Sequence, residues 1–214
     1  MNTGKIHKMV LYALFIAIVL VLGLTPLGFI NLPIASVTTV HIPVIIAAYC
    51  FGVKGGALMG FFFGLTSLIR CFTTPDAVAA IILGTNTGFG FYNVLLIILI
   101  LFMPRILTGI FPALVFKGIS KFDKTKLGAM SVSAFTGSMT NTVFFLGSLY
   151  LFAYEQAAEG FGLVNYTPVS FIKVLLGIVA FNGVLEALTA VIICTAVGKA
   201  ILIYLDKKGL SFKE

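Results

Sequence analysis

The sequence predicts an all-α integral membrane protein with six transmembrane helices and both termini in the cytoplasm. Apolar residues make up 60% of its 214 residues and charged residues only 10%, whereas a soluble domain has about 45–50% and about 25%. The mean hydropathy is +1.14. A chain of this size cannot hide so much apolar surface from water, which argues against soluble enzymes, nucleic-acid-binding proteins and disordered chains.

Six apolar runs approach the roughly 20 residues that a helix needs to cross a bilayer. The basic N-terminus precedes the first run without a small-residue cleavage site, so this run is predicted to be a retained helix and not a signal peptide. No internal repeat divides the chain, and residues 1–214 are predicted to form one membrane domain. The predicted spans are 9–27, 41–53 (short unless 37–40 joins it), 55–72, 94–116, 127–154 and 171–205.

The distribution of basic residues supports six spans through the positive-inside rule. Six spans place both termini on one side of the membrane, together with the loops after the second and fourth runs. The other side carries Asp76, Glu155 and Glu159. The net charge of +7 lies in clusters between apolar runs, which suits membrane topology better than a nucleic-acid partner. Eleven of the fourteen basic residues fall on the first side: Lys5, Lys8, Lys54, Lys117, Lys121, Lys124, Lys126, Lys199, Lys207, Lys208 and Lys213.

Motifs for nucleotide hydrolysis, metal binding and nucleophilic catalysis are missing from the sequence. It contains no G-x-x-x-x-G-K-[ST], H-E-x-x-H or G-x-S-x-G pattern. The three cysteines, Cys50, Cys71 and Cys194, include no C-x-x-C pair and lie in or beside apolar runs. We therefore predict no cofactor, no metal and no catalytic residue.

Small residues recur one turn apart on two predicted helices. Ala13 and Ala17 lie on the first helix, and glycines at positions 52, 56, 60 and 64 step by four along the preceding loop and the third helix. Small residues let helices approach closely in lipid, where van der Waals packing drives association. Two roles are open for each stripe: packing inside this chain, or contact with a partner helix.

Residues 28–40 form an unusual polar-tipped segment after the first helix. Pro26 and Pro33 break helical structure, and Gly28 permits a turn. An apolar segment with several hydroxyl groups is suited to cover a cavity as a lid, or it is an ordinary interhelical loop.

Polar side chains inside predicted spans indicate function by default, because they are costly in lipid. Asn182 and Glu186 are four residues apart and share a helix face. They would converge with Asn141 and Arg105 on a cavity for a small polar molecule, or they would form interhelical hydrogen bonds and an Arg105–Glu186 ion pair. An arginine would also suit an anionic substrate. The candidate substrate-binding residues are Asn31, Thr38, Thr39, His41, Ser67, Arg70, Asn86, Arg105, Asn141, Asn182 and Glu186.

These features together resemble the substrate-binding S-components of energy-coupling factor (ECF) vitamin transporters, which are six-helix membrane proteins of about this size. The resemblance extends over nearly the whole chain. Its parts are Ala13-x-x-x-Ala17, the segment from Thr39 to Ile46 with the sequence TVHIPVII, the run from Phe51 to Ala57 followed by FGLTS at 63–67, Pro104-Arg105 and Asn182-Gly183-x-x-Glu186.

The resemblance implies a binding protein that performs no chemistry. Ala13 and Ala17 would dock it onto a shared transmembrane coupling subunit, and two cytoplasmic ATPases would complete the importer in the cell membrane. Riboflavin-specific members often carry acidic residues just before the Ile-Pro, whereas Thr38 to His41 stand here. The pattern is more similar to the pantothenate-type branch, with riboflavin and other vitamins open.

Two other functions are compatible with the residues alone. The chain could be an ion-coupled secondary permease in which Glu186 carries the proton, which would transport its substrate without ATPases. It could also be a membrane-embedded enzyme that uses Glu186 as acid or base, which would convert its substrate covalently.

Overall fold

The computed structural model describes residues 3–31, 36–74, 79, 83, 90–160, 162–163 and 167–209. Helices dominate this part of the chain, as predicted. A short hairpin precedes the second helix: a 3-10 turn, Pro26–Gly28, leads into strands β1, Phe29–Asn31, and β2, Ser36–Thr38, which pair antiparallel. The helices are α1 (Thr3–Leu24), α2 (His41–Thr73), α3 (Phe91–Ile119), α4 (Leu127–Phe152), α5 (Tyr154–Gly160) and α6 (Pro168–Lys207).

Four of the helices are long and apolar enough to cross a membrane: α1 from Ile6 onwards, α2, α3 and α6. Helix α4 has 26 residues, more than the roughly 20 that a span requires. Its serines, its threonines and Asn141 make it more polar than the other long helices. Several apolar helices in one chain indicate a multi-pass membrane protein.

Helix α2 is sharply bent at Gly52, where the backbone has φ 69° and ψ −163°. Only glycine adopts this conformation without a steric cost. The bend separates residues 41–51 from residues 53–73, close to the boundary that the sequence predicts between its second and third runs.

The contacts of α4 show that α3 and α6 run in the same direction. Helix α4 lies antiparallel to both, so early residues of α4 contact late residues of each neighbour and late residues contact early ones. The contacts are Ser133–Pro112 and Phe145–Arg105 for α3, and Ser131–Thr195 and Thr142–Glu186 for α6.

The chain reverses its direction at Gly52. Residues 41–51 run alongside α6 in the same direction, residues 53–73 run antiparallel to α3, and α1 runs parallel to residues 53–73. The contacts are Ile42–Cys194 and Tyr49–Gly198 for the first segment, Gly56–Gly109 and Gly64–Phe102 for the second, and Tyr12–Gly55 and Gly23–Thr66 for α1.

The glycine stripe packs inside the molecule, against α3. A Cβ atom at Gly56 would lie 2.2 Å from the carbonyl oxygen of Gly109, and one at Gly60 would lie 2.3 Å from that of Arg105. Side chains at these positions would force the two backbones apart. Of the two roles that the sequence left open, the structure confirms internal packing for Gly56, Gly60 and Gly64.

We expect Gly56→Ala to lower the stability of the fold by about 1–3 kcal/mol, because the obstacle is backbone that cannot move aside. Gly147→Ala is the matched control, since nothing lies within 4 Å of a Cβ atom there. Thermal unfolding in detergent would show a lower melting temperature for the first variant and an unchanged or higher one for the second. Equal melting temperatures would contradict the packing described here.

Candidate substrate-binding site

Buried polar side chains on four helices lie between two apolar clusters. Cluster 1 includes Phe15, Phe51, Phe63, Met130, Ala134, Ala190 and Cys194. Cluster 2 includes Cys71, Leu96, Ile100, Leu101, Leu146, Leu149, Phe171 and Leu175. Each of the four helices contributes residues to both clusters or packs against them. Along each helix, the polar residues lie between the part at cluster 1 and the part at cluster 2. We call this zone the polar layer; its members are Thr66, Ser67, Arg105, Thr108, Ser138, Thr140, Asn141, Thr142, Asn182 and Glu186.

Helices α4 and α6 face each other at the polar layer. A Cβ atom at Gly183 would lie 3.2 Å from Cγ2 of Thr142. Asn182 and Asn141, the chain neighbours of these two residues, therefore lie at the same level of facing helices. Both are buried, with 4% and 5% of their surface exposed.

Two π-helical segments border the polar layer. Ile97–Phe102 precedes Arg105 on α3, and Val179–Gly183 contains Asn182 on α6. A π-helical turn shifts the register of the side chains that follow it, and such turns are frequent at functional sites. Here they change which face of α3 and α6 the polar residues occupy.

Glu186 joins the hairpin to the helix bundle. Its Oε1 accepts a hydrogen bond from the backbone N–H of Thr38 at 2.5 Å, and its Oε2 accepts one from Oγ1 of Thr142 at 3.1 Å. A buried carboxylate needs such donors, because burial without them is costly. The side chain is therefore already engaged by β2 and α4.

Arg105 lies between aromatic rings in the interior. Its Cζ atom is 4.3 Å from the ring centroid of Phe145 and 5.4 Å from that of Phe63. Its Nη1 donates to the carbonyl oxygen of Ile100 at 3.4 Å. An arginine held in this way is positioned to bind a carboxylate in a low-dielectric site.

Three buried atoms on uncharged side chains of the polar layer have no hydrogen-bond partner among the described residues: Oγ of Ser138, Oδ1 of Asn141 and Nδ2 of Asn182. Buried polar atoms are almost always paired. Together they offer an acceptor, a donor and a hydroxyl group. This set suits a small ligand that carries amide and hydroxyl groups.

Strands β1 and β2 each contact the bundle in the part of the chain that the structure describes. On β1, the ring of Phe29 lies under Arg70 of α2, with Cζ 4.1 Å from its centroid. On β2, Thr38 donates to Glu186. The hydroxyl group of Thr39 closes the base of the hairpin by donating to the carbonyl oxygen of Leu27 at 2.8 Å.

The remaining predicted site residues have varied positions. His41 begins α2, three residues after the end of β2, and is 1% exposed. Ser67 donates to the carbonyl oxygen of Phe63 within its own helix at 3.1 Å. Asn31 ends β1, and its side chain lies outside the described residues, as does the whole of Asn86.

The candidate list omits several residues of the site, Thr66 and Thr108 among them. Ser138 and Thr142 lie three residues before and one residue after Asn141, and the spacing 138, 142 identifies one helix face. Phe63 and Phe145, which flank Arg105, gave no such signal, because phenylalanine is abundant throughout the chain.

The two alanines of α1 face outward. Ala13 and Ala17 are exposed, whereas Phe15 and Val19 of the same helix point into cluster 1. This outer face of α1 makes no contribution to the core of the described chain. It is therefore open to another helix.

Comparisons with known proteins identify the family of the chain. The profile of the family described as ECF transporter, substrate-specific component, matches residues 7–198. A pantothenic acid transporter PanT of Lactococcus lactis subsp. cremoris is 35% identical over 213 residues, which cover 94% of this chain and 96% of that protein. A pantothenate transporter PanT of Leuconostoc mesenteroides is 28% identical over an aligned length of 222 positions, which covers 98% of this chain and 99% of that protein. The chain belongs to the substrate-specific components of ECF transporters, as the resemblance predicted, and is a transport protein and not an enzyme.

Proposed function

We propose that this chain binds pantothenate as the S-component of an ECF-type importer. The observation that carries the proposal is the match, over nearly the full length of both proteins, to a relative named as a pantothenic acid transporter. The polar layer supports it, because pantothenate carries a carboxylate, an amide and two hydroxyl groups.

The chemistry of the polar layer suggests how the ligand is held. Arg105 pairs with the carboxylate of the ligand. Asn182 donates to an acceptor of the ligand, while Asn141 and Ser138 bind its amide N–H or hydroxyl groups. Glu186 contributes by holding the hairpin, which acts as the lid, over the bound molecule.

Titration of the detergent-solubilised chain with pantothenate tests this function, with riboflavin as the control ligand. We expect saturable binding of pantothenate and no binding of riboflavin, since an aromatic ring system offers no carboxylate for Arg105. Tighter binding of riboflavin would contradict the proposal. Substrate uptake by the chain alone in liposomes, driven by an ion gradient, would instead favour a secondary permease.

For the topology we propose six membrane crossings with both termini in the cytoplasm. The crossings are α1, residues 41–51, residues 53–73, α3, α4 and α6. The alternating directions of these segments support this count, as does the reversal at Gly52. Basic residues collect at the end of the bundle where Lys126 and Asp206 form an ion pair, with nitrogen and oxygen 4.0 Å apart. The positive-inside rule assigns that end to the cytoplasm.

Labelling of introduced cysteines with a membrane-impermeant reagent tests the orientation. We expect Lys124→Cys to react only in permeabilised cells and Glu159→Cys to react in intact cells, because both positions are exposed at opposite ends of the bundle. The three native cysteines are buried, so they leave the background low. The reverse labelling pattern would exclude the proposed orientation.

We propose further that the chain acts in the cell membrane with an ECF module consisting of a transmembrane coupling subunit and two cytoplasmic ATPases. Membership of the family supports an ECF partner. The exposed face of α1 around Ala13 and Ala17 is the proposed contact with the coupling subunit, since small side chains there permit close approach of a second helix.

A further inference from the structure

We infer that the loop between α3 and α4, with Phe122 at its tip, forms a binding surface for the phosphate headgroups of anionic phospholipids. We call residues 117–126 the basic loop. The membrane topology proposed above decides only which leaflet this surface faces. The chemistry of the surface is the same in either orientation.

The basic loop has a fixed shape built on one carboxylate. Asp123 accepts hydrogen bonds at Oδ1 from the backbone N–H and the hydroxyl group of Thr125, at 3.0 and 2.7 Å, and at Oδ2 from the N–H of Ala129 at 3.0 Å. These hydrogen bonds hold the pKa of the Asp123 carboxyl below its usual range, and the bond from the N–H of Ala129 has the largest effect. Lys199 donates to the carbonyl oxygen of Thr125 and ties the loop to α6. The loop is therefore a preformed surface.

The charge of this end of the molecule is strongly positive. Of its two acids in the described chain, Asp123 is bound by its own loop and Asp206 is paired with Lys126. Neither forms an ion pair with Lys117, Lys121 or Lys124 in the described chain. Clusters of four to eight basic residues beside a transmembrane helix attract anionic lipids. On the basic loop and α6, the lysines at this end are Lys117, Lys121, Lys124, Lys126, Lys199, Lys207 and Lys208.

Phe122 gives the surface an apolar element among these charges. Its side chain is 89% exposed, the highest value among the large apolar residues of the described chain. Lys121 and Lys124 flank it. An aromatic ring beside lysines is suited to the interfacial layer of a bilayer, where the ring enters the acyl region and the ammonium groups meet phosphates.

The neighbouring lipid-facing side chains place the lysines at the height of the headgroups. Leu114 is 50% exposed and lies three residues before Lys117 on α3, and Leu127 is 45% exposed directly after Lys126. On α6, Tyr204 is 55% exposed and lies three residues before Lys207. Each cation thus borders the apolar belt, an arrangement that favours a lipid over a protein as the partner.

A lipid-retention experiment on the purified full chain tests the inference. It compares how much phosphatidylglycerol and how much phosphatidylcholine the chain retains, by native mass spectrometry or lipid-to-protein energy transfer. We expect enrichment of phosphatidylglycerol that declines with added salt. The triple variant Lys117→Gln, Lys121→Gln, Lys124→Gln should weaken this binding about fivefold for each lysine removed, and Phe122→Ser should weaken it further. Lys173→Gln, an exposed lysine at the other end of α6, is the matched control and should retain the enrichment.

Pantothenate titration of the same samples separates this inference from the proposed function. Retained vitamin binding with lost lipid enrichment supports a lipid surface that is independent of the site. Equal retention of the two lipids by the unmodified chain, or full enrichment in the triple variant, would overturn the inference. Loss of ECF-dependent uptake in the triple variant without any lipid preference would also overturn it, in favour of a protein partner.

Discussion

Ala17→Trp should abolish ECF-dependent uptake of the substrate while leaving substrate binding to the isolated chain nearly intact. Ala17 is exposed on the outer face of α1, and the same helix contributes Phe15 and Val19 to cluster 1 from its opposite face. An indole at position 17 therefore does not disturb the core. It would hold a partner helix away and remove the dispersion contacts that join helices in lipid.

Uptake by cells that express the complete importer, together with co-purification of the coupling subunit, measures this effect. Ala13→Trp should behave in the same way. Ile192→Trp is the matched control, because Ile192 is 69% exposed on α6 and the change adds the same indole to a different lipid-facing surface. Normal uptake and co-purification in both alanine variants would show that the alanines do not form the docking surface.

Asn141→Ala and Asn182→Ala should each weaken pantothenate binding by about 5- to 150-fold. A ligand group that loses its buried partner costs roughly 1–3 kcal/mol, and about 1.4 kcal/mol corresponds to tenfold in affinity. Oδ1 of Asn141 and Nδ2 of Asn182 have no partner in the described chain, so truncation leaves no protein group unpaired there. The expected loss is in affinity and not in folding.

Ligand titration of the solubilised variants, each first shown to melt cooperatively, measures the change. Thr189→Ala is the control, since Thr189 is exposed one turn from Glu186 and bonds only within its helix. Glu186→Gln should mainly accelerate dissociation, because it weakens the bond that holds β2. Unchanged affinity in all variants would move the site to the outer loops around Asn86 and Arg70.

The sequence predicts the helical, multi-pass character of the chain because hydropathy and length depend on local composition alone. It also predicts a boundary near the break in α2, since Lys54 separates the second and third apolar runs two residues after Gly52. The hairpin was not predicted as strands. Three-residue strands that pair across a turn leave little alternation in the sequence.

For the site, sequence reasoning identified the residue types but not their partners. The cost of a buried Glu186 or Arg105 in lipid singles them out in any apolar run. The contact between Glu186 and the backbone N–H of Thr38 joins residues that are 148 positions apart. It depends on the packing of α6 against the hairpin. A backbone donor leaves no mark on the sequence, and the same holds for the aromatic faces around Arg105.

The polarity of α4 has a consequence for biosynthesis. The helix carries Ser133, Ser138 and Asn141 within its length, and it is not among the four helices apolar enough to span a membrane by themselves. The translocon releases segments into lipid according to their hydrophobicity, so α4 would partition poorly when it emerges alone. Helix α3 leaves the ribosome first and offers the carbonyl oxygen of Pro112 to Ser133. We therefore expect α4 to integrate as a helical pair with α3, so that the insertion of α4 depends on the helix made just before it.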